Sequence, residues 1–318
     1  MDRRFVFLAL SLLAGSAHAE SWPSKPLHVI VPVGAGSSTD IVHRLVLEQL
    51  SLRLGQPIVV ENRVGAGGTI GTAAVAKAQP DGYTLLANGA AHTIAPSLYK
   101  SLPYDPARDL VPVAPVGTSP SVLVVSPAKR LRSVQALVSA AKAYPGQLNF
   151  SSVGIGTATH LSAERFASAA GIDVVHVPFK GGAEAMLDVL AGRVDFFFGP
   201  VALVLPHVRD AKLAALAVNG ATRSPALPDV PTLREAGYAD ADYPIWFGLF
   251  APARTSREIV DRLNRETLAA LQTPALRDKL ASLGVDPMPM NADEFKRYVD
   301  AEFVLNAALA KKAGLKAQ

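Results

Sequence analysis

Cysteine is absent from all 318 residues, and that absence removes disulfide staples, thiol nucleophiles and thiolate metal sites together. Charge is also sparse. Asp, Glu, Lys and Arg make up 18% of the chain, the net charge is +4, and the basic residues are scattered rather than blocked. That pattern argues against nucleic acid as a partner. The seven histidines are dispersed and no two have the helical spacing of a metal-ligand pair, so no metal site is expected. Long apolar runs are missing too, apart from one at the N-terminus. What the chain does have is 49% hydrophobic residues, enough to bury a core and to argue against disorder.

The N-terminal run reads as an export signal. Arg3 and Arg4 precede an apolar stretch from Phe5 to Ala14, and Ala17-His18-Ala19 is a small-x-small cleavage site. Residues 1–19 are therefore expected to be removed, leaving a periplasmic mature chain that begins at Glu20. The competing reading is a membrane anchor, for which the stretch is short of the roughly 20 residues needed to span a bilayer.

Beyond it the pattern alternates. Leu27–Val31 reads as a buried strand, Ile41–Leu54 as a helix closed by Gly55, and Ile58–Val60 as a second strand. An Ala-rich helix to about Ala78, a Pro80-Asp81-Gly82 turn and a strand Tyr83–Ala87 follow. This is the signature of an α/β unit with a parallel sheet. Leu110–Val125 is too long for one ordinary strand and reads as a crossover into a second α/β set. That set has helices near Val134–Ala143, to about Ala170, and Ala183–Ala191, with strands at Leu148–Ser152, Val174–Val177, Val194–Phe198 and Leu213–Val218. Ile245–Ala251 reads as a returning strand, and helices at Arg257–Gln272, Pro274–Leu283 and Ala292–Ala313 finish the first unit. The expected division is residues 20–118 with 245–318 as domain 1 and residues 119–244 as domain 2. A single large α/β domain is the competing organisation.

Loops of small residues follow four of the strands, at 34–39, 65–71, 88–91 and 154–159. Ligands of parallel α/β sheets bind beyond the carboxyl ends of the strands, where such loops collect. Small residues let a ligand approach the main chain, and the free N–H groups of a helix start attract anions. Few Lys or Arg residues stand in these loops; Arg63 and Lys180 flank them. Helix ends are thus expected to supply the positive potential, with hydroxyls from Ser37, Ser38, Thr39, Thr157 and Thr159.

An ordered series of motifs resembles a known family. It runs through Trp22-Pro23-Ser24-Lys25-Pro26, Val31-Pro32 with Thr39-Asp40, and Val59-Val60-Glu61-Asn62-Arg63 with Gly65-Ala66-Gly67-Gly68. It continues through Pro80-Asp81-Gly82-Tyr83-Thr84-Leu85-Leu86, Ser97-Leu98-Tyr99, Leu102-Pro103-Tyr104-Asp105-Pro106 and Gly156-Thr157 with His160-Leu161. His176-Val177-Pro178-Phe179-Lys180-Gly181, Pro206-His207 and the run from Arg223 to Thr232 complete it. Over the whole mature chain the sequence is similar to the Bug-type, tricarboxylate-receptor-like extracytoplasmic solute receptors of tripartite tricarboxylate transporters.

The resemblance implies a two-domain periplasmic-binding-protein (Venus flytrap) fold, each domain a mostly parallel sheet flanked by helices. It implies a non-enzymatic receptor without a cofactor, expected as a monomer. It would capture a small carboxylate and hand it to a two-subunit membrane permease driven by an ion gradient. Relatives embrace the carboxylates with the first loop, the loop after the second strand and the Gly-x-Gly-Thr loop, partly through water.

Candidate contacts in this chain are Val33, Gly34, Ala35, Gly36, Ser37, Ser38, Thr39 and Asp40 in the first loop, and Gly67, Gly68 and Thr69 in the second. Ala90 follows in the third, then Gly154, Gly156, Thr157, Ala158, Thr159 and His160 in the fourth, with Phe179, Lys180 and Gly199 beside them. The sequence departs from the family where Val33 and Ala35-Gly36-Ser37 replace the usual Phe and Pro-Gly-Gly. It departs again at Ile155, where an Asn is usual, and at Gly199-Pro200. A less polar pocket follows, which points to a ligand with an apolar or aromatic body and one carboxylate rather than citrate. Phe179, Phe197 and Phe198 are either a wall of that pocket or core.

Asp40 has two readings, a first-turn acid bonding loop N–H groups or a contact for a ligand ammonium. Glu61-Asn62-Arg63 reads as an interior ion pair steadying the second loop. Three rival readings stand against the transport receptor. An exported hydrolase built on His160 lacks a Gly-x-Ser-x-Gly elbow. A nucleotide site at Gly65–Gly71 misses the Gly-x-Gly-x-x-Gly spacing and a Walker lysine. A sensor that signals to a membrane protein would present the same surface as a transport receptor.

Overall fold

The computed structural model describes residues 22–179, 181–312, 314, 315 and 317. The expected export signal and Lys180 lie outside the described residues. In chain order the elements are β1 (Leu27–Val31), α1 (Ser38–Leu54), β2 (Ile58–Asn62), α2 (Thr69–Ala76), β3 (Thr84–Gly89) and α3 (Ala90–Leu98). Next come β4 (Leu110–Ser119), β5 (Ser121–Val125), α4 (Val134–Ala143), β6 (Asn149–Ser152), α5 (Ala158–Ala170), β7 (Val175–Pro178) and α6 (Gly182–Leu190). The chain then forms β8 (Phe196–Pro200), α7 (Val201–Arg209), β9 (Ala214–Asn219), β10 (Ile245–Pro252), α8 (Arg257–Leu271), α9 (Pro274–Ser282), β11 (Asp286–Pro287) and α10 (Ala292–Lys312).

Two sheets organise these elements, one in the order β11-β4-β10-β3-β1-β2 and the other β7-β6-β8-β5-β9. The α/β class and the two helix-flanked sheets agree with the sequence reading, but the pairing is mixed rather than mostly parallel. β1, β2 and β3 pair in parallel, as do β6, β7 and β8. β10 is antiparallel to β3 and β4, and β5 is antiparallel to β8 and β9. The reason lies in how the chain arrives. Parallel neighbours need a crossover, usually a helix, whereas β5 and β10 enter their sheets directly from the other sheet.

The long Val- and Pro-rich segment is therefore two strands in different sheets, joined at Pro120 alone. Each sheet is buried by helices on both faces. Leu27, Val29 and Val31 of β1 pack with Val46, Leu47 and Leu50 of α1 and with Leu263 of α8. Phe150, Phe166, Phe196 and Phe198 fill one side of the second sheet, and Phe197 with Val122 and Val124 the other. A smaller cluster joins the two units: Ile94 of α3, Leu161 of α5, Tyr243, and Leu309 and Ala310 of α10. Among the described residues no helix is long and apolar enough to cross a membrane.

Several boundaries differ from the sequence reading, and each difference has a local cause. α1 starts three residues earlier, because the Ser37 hydroxyl accepts the Asp40 N–H at 3.3 Å and Ser38 is already helical. β3 runs on through Asn88 and Gly89, so α3 follows it with no intervening loop. α7 lies between β8 and β9, where the sequence reading places no helix. Pro200 is its cap residue, and Pro206 sits inside it. Glu61 and Arg63 form an exposed bidentate pair at 2.9 and 3.1 Å rather than an interior one. The residue between them, Asn62, does the steadying described below.

Gly89 fixes how closely β3 approaches β10. A methyl group there would lie 1.9 Å from the Trp246 carbonyl oxygen. Backbone cannot yield as a flexible side chain can, so Gly89→Ala is expected to cost about 2–3 kcal/mol. A lower midpoint in urea denaturation, with an unchanged slope, checks this.

Candidate functional site

The carboxyl ends of β1, β3 and β6 and the start of β10 open onto one cleft of about 310 Å³. From the first sheet unit it is lined by Val33, Thr39, Asn88, Gly89, Ala90, Ala91, Ile94, Ile245 and Trp246. Val153, Gly156, Thr157, Ala158 and Leu161 line it from the second, and Tyr243 from the segment that links them. Its volume sits near the lower end of the roughly 300–1,000 Å³ typical of ligand pockets.

Three helices begin at this wall. At α1, Ser37 caps Asp40, which leaves the N–H groups of Ser38 and Thr39 without an intrahelical acceptor. At α3 the cap residue is Gly89, which offers no side chain to the N–H groups of Ala90, Ala91 and His92. At α5 the Thr157 side chain does not cap; its hydroxyl instead donates to Gly154 O at 2.7 Å. Every described lining side chain is uncharged. Among the described residues, the positive potential at the cleft comes from the orphan N–H groups and the three dipoles behind them.

The first loop owes its shape to Asp40. One carboxylate oxygen accepts the Gly36 N–H at 2.9 Å, and the other accepts Arg44 Nε and Asn62 Nδ2, both at 2.8 Å. Asn62 also donates to Val33 O at 3.0 Å, and Arg44 donates to Asn62 Oδ1 at 2.7 Å. Burial works to raise the Asp40 carboxyl. The bonds from Gly36, Asn62 and Arg44, with the Arg44 charge, outweigh it and hold the group below the ordinary aspartate value. This is the first-turn reading of Asp40, and its oxygens are occupied by the protein.

In the second unit, Gly156 has φ +75° and a methyl on it would lie 2.5 Å from Leu98 of α3. Glycine is thus required where the two units touch. Thr159 turns inward, its hydroxyl accepting the Val153 N–H at 3.0 Å.

The cleft is backed by α10. Trp246 Nε1 donates to Glu302 at 3.0 Å, and Tyr243 OH donates to Asn306 at 2.6 Å. Asn306 Nδ2 in turn donates to Thr93 Oγ1 at 2.8 Å. Burial raises the Glu302 carboxyl and, with the Glu302 charge, the Tyr243 phenol, so Tyr243 stays protonated as a donor. The main chain of Tyr243 is held from the second unit by Asn219 and Ser162.

Of the candidate residues, Val33, Thr39, Ala90, Gly156, Thr157 and Ala158 come together on the cleft wall. Gly34, Ala35, Gly36, Ser37, Ser38 and Asp40 form the turn behind it. Gly67, Gly68 and Thr69 pack beside that turn, where a methyl on Gly67 would strike the Tyr99 hydroxyl at 2.2 Å and one on Gly68 would press on Pro32. Gly154, Thr159 and His160 brace the second-unit loop from behind. Phe179 packs on the second core, and Gly199 lies inside it against Val204 and Phe197. Phe197 and Phe198 are core as well. Asn88, Gly89, Ala91, Ile94, Val153, Leu161, Tyr243, Ile245 and Trp246 also line the cleft and are not among the candidate contacts. For Asn88 and Ala91 the small-residue loop was the available signal. Tyr243, Ile245 and Trp246 belong to the returning segment, and no local pattern marks them.

Two predictions follow from these bonds. Asp40→Ala leaves Gly36, Arg44 and Asn62 without their shared acceptor, and is expected to lower the unfolding free energy at neutral pH by about 1.5–3 kcal/mol, read by urea denaturation. His92 and His176 give a pH dependence. Burial pushes both from 6.5 down to about 4, helped at His176 by the neighbouring His160. Both bind protons more weakly folded than unfolded, so their stabilisation is complete above 6.5 and falls away as pH drops towards about 4. Calorimetry across that window should show a falling midpoint, and His92→Phe should flatten the slope.

Comparison with known proteins agrees with this geometry. The family model described as "Tripartite tricarboxylate transporter family receptor" matches residues 42–315. The chain is 38% identical over 313 residues to Protein BugT of Bordetella pertussis (strain Tohama I), covering 98% of this chain and 96% of that one. The structure of the periplasmic binding protein BugD superposes with a TM-score of 0.75 at 34% identity, over 93% of this chain and 100% of that one. Rpa4515 of R. palustris, solved with adipate, superposes with a TM-score of 0.79 at 32% identity, over 93% and 100%.

Proposed function

The chain belongs to the tripartite tricarboxylate transporter receptor family, and on that premise we propose that it is an exported receptor which captures a small carboxylate and delivers it to a membrane permease. The observation that carries this is the meeting of three helix N-termini at one cleft whose described walls hold no formal charge. In this reading the N–H groups of Ser38, Thr39, Ala90, Ala91 and Ala158 receive the carboxylate, directly or through water. The hydroxyls of Thr39 and Thr157 offer further polar contacts, one from each unit.

Apart from the Asn88 amide and Tyr243, whose hydroxyl is bonded to Asn306, the remaining side chains of the wall are apolar: Val33, Ile94, Val153, Leu161, Ile245 and Trp246. A citrate-like ligand would leave carboxylates against these side chains at a desolvation cost. The ligand is therefore a carboxylate with an apolar or aromatic body. That adipate is bound by a relative fits a scaffold that accepts a methylene chain. Residues 20–118 with 245–318 act as one lobe and residues 119–244 as the other, closing because the ligand bridges both. The chain binds without chemical turnover, acts as a monomer and leaves the cell envelope's inner side by cleavage of residues 1–19. Its permease partner has two subunits and draws on an ion gradient.

Calorimetric titration with benzoate, adipate and citrate tests the ligand class. Benzoate or adipate is expected to bind at least about tenfold tighter than citrate, and citrate outcompeting both overturns the reading. Small-angle scattering should show contraction at saturation with the acid that binds. Ala158→Asp tests the anion cradle itself. An acid at the first position of α5 favours the helix and leaves the melting temperature unchanged or higher, yet it should weaken carboxylate binding by at least about tenfold.

A further inference from the structure

Behind the second-unit loop lie two histidines that do not line the cleft. His160 and His176 stack face to face, with centroids 3.8 Å apart and planes inclined by 13°, and Phe150 stacks on both. His160 Nδ1 accepts the N–H of Gly156 at 3.0 Å. His176 Nε2 lies 2.6 Å from Ser152 Oγ, which accepts the Gly154 N–H at 3.0 Å. The loop that carries Val153, Gly156 and Thr157 to the cleft is thus fastened from behind at Gly156 by the His160 imidazole and at Gly154 by Ser152, itself within hydrogen-bond distance of His176.

The first of these bonds fixes a protonation state. An N–H donor needs a bare ring nitrogen, so Nδ1 of His160 carries no proton and the ring is neutral, with its proton on Nε2 towards Glu164 Oε1 at 3.5 Å. Adding a proton to Nδ1 would set N–H against N–H. Among the described residues, the charged and titratable groups facing the pair are Glu164 from α5 itself and His176 from β7. β6 and β8 present Ser152, Phe150 and Phe196. Farther along, Lys312 of α10 is bonded to Ser168, and Asp242, near the segment packed on α5, is paired with Arg234.

We propose that His160 is a positioning residue for the cleft: as a neutral imidazole backed by His176 it holds Gly156 and Thr157 at the wall, and its protonation releases them and weakens ligand binding. The affinity part of this rests on the carboxylate reading above; the loop part does not. Acidification thus acts on the mouth of the second unit while the α1 and α3 cradles keep their bonds.

The test reads the two parts separately. In the ligand-free protein, hydrogen exchange at the Gly156 amide is followed by NMR as the pH is lowered from neutrality while the chain stays folded, after correction for the intrinsic pH dependence. Protection should fall with acid in the native chain. His160→Asn offers an amide oxygen near the Nδ1 position and does not titrate, so its protection should stay constant. His160→Phe keeps the stack but has no acceptor, and should leave Gly156 unprotected at every pH. In the second arm, affinity for adipate or benzoate, whichever binds at neutral pH, should weaken about three- to tenfold on acidification in the native chain. It should stay flat in His160→Asn, and be weaker and flat in His160→Phe. Melting temperatures confirm that each variant is folded before it is read. Gly156 protection that ignores pH in the native chain, or an acid response that survives in folded His160→Asn, overturns the proposal. If neither acid binds, the carboxylate reading fails while the exchange arm still decides the role of His160.

Discussion

A peptide N–H at the start of a helix has no partner within that helix, and a fold must find it one. Most helix starts solve this with a side chain or with water. Here three of them open onto one cleft, and at α3 and α5 no side chain intervenes. Much of the remaining architecture can be understood as what it takes to hold these ends in place. Gly89 brings β3 against β10 so that α3 can start without a loop. Asp40 ties Gly36, Arg44 and Asn62 into one knot so that α1 starts where it does. Thr159 and His160 pin the turn before α5.

The two sheet units are joined economically. Pro120 alone separates β4 from β5, and α10 packs on α3 and β4 of the first unit and on α5 of the second. The cluster of Ile94, Leu161, Tyr243, Leu309 and Ala310 lies where these elements meet. Ile94, Leu161 and Tyr243 also line the cleft. Packing that joins the units and packing that lines the cleft are therefore partly the same side chains.

How much of this could be read from the chain follows from the range of each interaction. β1 and α4 have the bounds expected, because their signals are local: a buried apolar run, and an amphipathic run after Ser133. The small-residue loops are legible for the same reason, and eight of their residues reach the cleft wall. The side chains that shape the cavity were not visible. Trp246, Ile245 and Tyr243 arrive with a segment more than a hundred residues from the first loop, and only the pairing of β10 with β3 brings them there. Proximity in sequence also misled. In sequence Gly199 reads as following a strand much as Gly34 does, yet it lies within β8 against Val204 and Phe197. Glu61 and Arg63 looked like the supports of the second loop, while the neutral Asn62 between them reaches Asp40 and Val33.

The uncharged wall has a further meaning for turnover of the complex. A carboxylate locked to a buried arginine must break an ion pair and resolvate both charges before it can leave. Peptide dipoles demand less, since each N–H exchanges the ligand for water at little cost once the cleft is wet. In the function proposed above, such a cleft would hold its cargo through geometry and exclusion of solvent, and opening the gap between the sheets would be enough to let it go.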